Sequence, residues 1–159
     1  MPHLATYVGL VDHSEKTLAE AFRAIGEGHA NAADVFHTCN TLAEMSEQHR
    51  DRLAPIVQRY GEEQVGSGVE EPERLHAAGL GEPRQGEIGL LRVLQDLHVL
   101  ATLVQTTWTV IVQGAQGLRD RELLQVATEC NAETSRQLTW LNTRMKVTAP
   151  QALIVTPSG

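Results

Sequence analysis

Aromatic residues are scarce in this chain, with two Phe, two Trp and two Tyr among 159 residues. Sheet-rich folds draw on aromatic and β-branched side chains, so this scarcity, set beside abundant Ala, Leu, Glu, Gln and Arg, points toward helix. Cysteine is rare too: Cys39 and Cys130 are too few and too far apart for a disulfide framework. Reduced thiols in a cytoplasmic protein are the expectation. No segment approaches the roughly 18 uninterrupted apolar residues of a membrane helix, so no membrane partner is expected. Met1–Leu10 lacks the basic flank and apolar run of a signal peptide. Positive charge is in deficit. A formal net charge of −7 leaves little to release counterions from a polyanion, so no nucleic-acid partner is expected. The arginines of Arg50-Asp51-Arg52 and Arg119-Asp120-Arg121-Glu122 are interleaved with acids, the pattern of a solvated helix surface. Glycine-rich phosphate loops, a Gly-x-Ser-x-Gly elbow and a Cys-x-x-Cys-His haem motif are all missing.

What the sequence does contain is helical periodicity. Leu4, Val8, Val11, Leu18, Phe22 and Ile25 recur at spacings of three, four or seven, the period of an amphipathic helix. Val35, Cys39, Leu42, His49, Leu53, Ile56 and Tyr60 continue the pattern in a second stretch. A third carries Leu90, Leu94, Leu97, Ala101, Val104, Trp108 and Ile111, and a fourth Leu123, Ala127, Cys130, Leu141 and Met145. These predict one all-α domain over residues 1–159, with helices at about 4–30, 34–60, 87–114 and 118–147. Asn31–Asp34 offers capping residues for a tight first turn. Pro55 removes a backbone hydrogen bond inside the second helix, so a kink or restart is expected near Leu53. Gly114 and Gly117 are expected to end the third. Residues 61–86 read as a long crossover, with a short helix starting at Pro72. The apolar tail over 148–159, Ala152 to Val155 in particular, is expected along the bundle surface or against a second subunit.

Short first and last links with a long middle one predict two antiparallel helical hairpins joined by a crossover: a four-helix bundle. The segment Leu18-Ala19-Glu20-Ala21-Phe22, taken with Leu42-Ala43-Glu44-Met45-Ser46-Glu47-Gln48-His49-Arg50-Asp51-Arg52-Leu53, resembles the first hairpin of ferritin-like, rubrerythrin-type proteins. The resemblance implies a ferritin-like bundle with a metal centre, in which helix one supplies a Glu and helix two a Glu-x-x-His. Here the motif is degenerate. It reads Ser46-x-x-His49 in the second helix and Ser135-x-x-Leu138 in the fourth, and Asp96 is the only carboxylate of the third helix after Ile88. Iron storage and ferroxidase chemistry are therefore not carried over. A six-residue likeness between Ala43–Gln48 and Ala132–Gln137, with four identities, pairs the two halves.

Three ionisable residues interrupt the apolar stripes: Glu15, His49 and His98. Burying a charge is costly unless it is paired or metal-bound. With a first turn near 30–33, Glu15 comes level with Ser46 to His49. With a second turn near 115–118, His98 comes level with Thr134 or Ser135. Two imidazoles and a carboxylate meeting at mid-bundle can hold one divalent ion (iron, manganese or zinc), with Ser46, Thr134 and Gln137 as polar support. The alternative is a buried network in which Glu15 pairs with protonated His49 and no metal takes part, in a non-enzymatic structural or interaction module that forms a homodimer. A small-molecule ligand at the same groups is a third reading. His3, His13, His37 and His76 read as surface, His29 as a helix-end residue, Cys39 and Cys130 as inert core thiols, and Trp108 and Trp140 as core or subunit contacts.

Overall fold

The computed structural model describes residues 2–61 and 86–155. The described chain is helical, with no strand: α1 spans Pro2–Gly28, α2 Ala33–Gly61, α3 Gly86–Leu118 and α4 Arg121–Leu153. The crossover over 61–86, the short helix expected at Pro72 and His76 fall almost wholly outside the described residues.

Each helix turns its apolar stripe inward. Val8, Val11, Leu18, Phe22 and Ile25 of α1 meet Val35, Cys39, Leu53 and Ile56 of α2 in one core with Leu94, Leu97, Val104, Trp108 and Ile111 of α3 and Leu123, Ala127, Cys130 and Leu141 of α4. Burying each large side chain removes enough apolar surface to stabilise by about 1.5–3 kcal/mol. Most of these helices therefore owe their stability to this shared face rather than to propensity.

The paired residues show which way each helix runs beside its neighbour. From α1 to α2, Gly26 lies against Phe36 and Cys39, Arg23 bonds Glu47, Glu15 meets His49 and Asp12 meets Arg50. Contacts thus climb α2 as they descend α1. From α3 to α4, Gln105 bonds Ser135 and Asn131 bonds Thr109, again in opposed order. Gly26 and Gly114 allow two close approaches: a Cβ on Gly26 would lie 3.3 Å from Cys39 Cβ, and one on Gly114 would lie 3.1 Å from Leu4 Cδ1. Contacts between α2 and α4 are sparser, and long polar side chains bridge the seam. Arg52 pairs with Glu129, Arg59 with Asp120, and Arg144 with Asp34.

Several boundaries differ from the sequence reading, for physical reasons. Pro55 lies within an unbroken α2 on an exposed position. The helix is carried past it by Leu53 and Ile56, which are fully buried. Gly114 and Gly117 do not end α3, which runs on to Leu118. The turn comes at Arg119, in the left-handed region at φ 60°, with Asp120 N–H donating to Ala115 O at 3.0 Å. Asp120 caps α4 through its carboxylate, which accepts from Leu123 N–H at 3.2 Å and from Tyr60 Oη–H at 2.6 Å. Burial and the Asp120 carboxylate together push the Tyr60 hydroxyl up to about 12. The C-terminal segment is helical through Pro150 to Leu153, beyond the end expected near 147, and Leu153, Ile154 and Val155 are exposed. The six-residue likeness is not structural, since Ala43 and Ser46 are buried while Ala132 and Ser135 are exposed.

Candidate functional site

A polar group built from all four helices crosses the middle of the core. Glu15 on α1, His49 on α2 and Trp108 on α3 are each fully buried. His49 Nδ1 lies 2.5 Å from Glu15 Oε2, and the Trp108 indole N–H donates to the same oxygen at 3.1 Å. The other side of the imidazole faces α4, with His49 Nε2 at 2.8 Å from Glu133 Oε1. Glu133 is 30% exposed, so the group runs from the core to the rim of the α2–α4 seam.

Proton counting constrains the electrostatics. Each imidazole–carboxylate contact needs one proton, and a neutral imidazole carries only one in total. Two protons on the ring between two carboxylates satisfy both contacts. Burial opposes a charged His49, but the hydrogen bonds and charges of Glu15 and then Glu133 outweigh it, and its pKa is raised above the usual imidazole value. Glu15 keeps one uncompensated feature: among the described residues its Oε1 is buried with no hydrogen-bond partner.

A second polar cluster lies one turn away. Gln137 Nε2 donates to Ser46 Oγ at 2.9 Å and to the Leu42 carbonyl at 3.1 Å. Thr134 Oγ1 donates to the Cys130 carbonyl at 2.8 Å within its own helix. The three residues expected to support the centre are thus buried, and Ser46 and Gln137 join α2 to α4 directly. Cys39 and Cys130 are buried, and their thiols are pushed up to about 12, by burial first and then by nearby carboxylates. Such thiols are poor nucleophiles.

Of the three ionisable residues singled out in the sequence, the fold brings Glu15 and His49 together. His98 is half-buried on α3, and no polar contact joins its side chain to that pair among the described residues. The displacement follows from the later turn. With Gln105 level with Ser135 and Thr109 with Asn131, the α3 position at the height of Glu133 is residue 107, next to Trp108. His98 lies ten residues before it, about 15 Å along the axis at 1.5 Å per residue. Glu133 went unrecognised, although Glu129 and Glu133, about one turn apart, face Arg52 and His49, also about one turn apart, across the seam.

Could these residues hold a metal ion? The two imidazole nitrogens point away from each other and each already faces a carboxylate, so Glu15 and Glu133 cannot both join His49 around one ion. Either side of the ring offers two protein donors, one short of a typical first-row site. Among the described residues no group of three or more His, Cys, Asp or Glu side chains is arranged to hold a metal ion. The donor set as it stands does not fit a divalent centre. Two surface hollows, lined by Asp12, Arg50 and Gln58 and by Gln116, Arg119 and Arg121, do not include Glu15 or His49. No helix among the described residues is long and apolar enough to cross a membrane. The chain matches no family model, no curated protein and no solved structure.

Proposed function

We propose that this chain is a ferritin-like bundle of two antiparallel hairpins that serves as a non-enzymatic structural or interaction module. A protonated imidazole stands in its core where a metal centre would otherwise lie. The observation that carries this reading is the double engagement of His49, which has a carboxylate on each ring nitrogen. A proton on each ring nitrogen gives His49 one positive charge, which it shares between buried Glu15 and part-exposed Glu133 without an ion. Such a network costs desolvation and contributes register: only one vertical alignment of α1, α2 and α4 lets Glu15, His49 and Glu133 meet. The inert thiols of Cys39 and Cys130 also fit a module without redox or nucleophilic chemistry.

The rival reading is one divalent ion, iron, manganese or zinc, held by Glu15 and His49. It is favoured by the buried, unpartnered Oε1 of Glu15, and it requires His49 to release one carboxylate. Elemental analysis of untagged protein and of His49→Ala separates the two. Near-zero metal in both supports the module. Stoichiometric metal in the parent that disappears in His49→Ala would replace it with the metal reading.

A further inference from the structure

The helices of this bundle are not held together alike. Within each hairpin a broad apolar face joins the two helices. Between the hairpins, α1 lies against α3, where Leu4 closes on Gly114 and the Trp108 indole reaches Glu15. Contacts between α2 and α4 are sparser, and side chains with polar ends span that seam along its length. Arg144 pairs with Asp34, Gln137 with Ser46 and the Leu42 carbonyl, His49 with Glu133, Arg52 with Glu129, and Arg59 with Asp120. Residue numbers rise on α2 as they fall on α4, so these bridges form one antiparallel line.

Two properties make that line the weak edge of the bundle. In each arginine pair one partner is about half-exposed: Asp34 at 59%, Glu129 at 49% and Arg59 at 47%. Ion pairs of this exposure contribute little, and salt screens them. The buried bridges also exchange readily with water, because Ser46, His49 and Gln137 keep hydrogen-bonding partners when solvent enters. Gln137 Oε1 is buried without a hydrogen-bond partner among the described residues, so entering water gives it one. The contact of Leu4 with Gly114 offers no such exchange, since parting it only bares apolar surface.

We propose that the bundle opens along the α2–α4 seam, with the α1–α3 contact as its hinge, and that ionic strength sets the population of the open form. Leu53 and Ile56 of α2 and Leu123 and Ala127 of α4 belong to the shared core, so apolar burial keeps the open form minor. Salt loosens the arginine pairs that latch the edge, and the open population rises. Opening goes beyond the module reading and is tested at Arg52–Glu129, a pair which that reading does not use.

The two buried thiols report opening separately. Cys130 lies behind the seam, within electrostatic reach of Arg52 and Glu133, whereas Cys39 packs against Gly26 inside the α1–α2 hairpin. The full chain is labelled with iodoacetamide under native conditions, and the two sites are resolved by peptide mass spectrometry. From about 0.1 to about 1 M sodium chloride the screening length falls from about 10 to about 3 Å, and Cys130 labelling is expected to accelerate by about 3- to 30-fold. Cys39 is expected to label more slowly and to respond less. R52E sets like charges across the seam and is expected to raise Cys130 labelling at low salt, whereas R52E/E129R, which remakes the pair in reverse, is expected to return it toward the parent rate. Equal labelling of both thiols at every salt concentration means that only global unfolding exposes them, and overturns the proposal. So does a Cys130 rate that salt leaves unchanged, or a folded R52E variant that labels as the parent does. The salt series on the parent needs no variant and decides the matter by itself.

Discussion

Replacing His49 by Leu should damage this fold more than replacing His49 and Glu15 together. In H49L the Glu15 carboxylate stays fully buried, with Trp108 as its one remaining donor among the described residues. Breaking a buried pair from one side costs about 3–5 kcal/mol. For a domain of this size each kcal/mol moves the thermal midpoint by about 2–4 °C, so a fall of roughly 6–20 °C is expected. In E15Q/H49L the uncompensated charge is gone. Gln at position 15 keeps an oxygen for the Trp108 indole, and Glu133, already partly exposed, can turn to solvent. The double variant should therefore lie within about 1–2 kcal/mol of the parent, since apolar replacement of buried ion pairs is often near neutral. Denaturant unfolding followed by circular dichroism gives all four corners of the cycle, with a coupling energy of at least about 2 kcal/mol expected between the two sites. Strict additivity, with the double variant as unstable as the sum of the singles, would refute the reasoning. The two side chains would then act as separate packing elements.

Other outcomes follow from neighbouring contacts. Because the folded-state pKa of His49 is raised, its contribution is fully present below the unfolded value of about 6.5 and is lost as pH rises through the folded value. The stability gap between the parent and E15Q/H49L should shift accordingly on the alkaline side, as pH-dependent unfolding will show. Trp108→Phe removes the indole donor to Glu15 and should cost about 1–3 kcal/mol, read by thermal melts. Arg119→Gly relieves a left-handed residue and should raise stability by about 1 kcal/mol, visible as a midpoint increase of about 2–4 °C. Asp120→Ala removes the α4 cap together with the acceptor of Tyr60 and should cost about 1–2 kcal/mol, measured by the same melts.

The helices were legible because their apolar residues keep one period, and Glu15 and His49 were legible because they interrupt it. Their meeting followed from a single short turn whose position Asn31–Asp34 marks well. His98 was misplaced by a weaker signal. Gly114 and Gly117 suggested an early end to α3, whereas close packing against Leu4 accommodates the first, and the Asp120 cap sets the true turn. Moving that turn by a few residues put Trp108, not His98, beside Glu15. Glu133 was hidden for another reason: it lies on the flank of its stripe rather than within it. Its role depends on α2 and α4 standing far enough apart for long side chains to bridge them. Sequence periodicity reports which face is apolar, and it carries no information on the width of a seam.

His49 is expected to carry two protons inside the core. Nitrogen-15 NMR of the imidazole ring, with protein labelled at histidine and His49 assigned by the loss of its signals in H49L, measures this directly. Two protonated ring nitrogens at neutral pH, persisting above the ordinary imidazole value of about 6.5, is the result expected. A neutral ring with one bare nitrogen at neutral pH would contradict it.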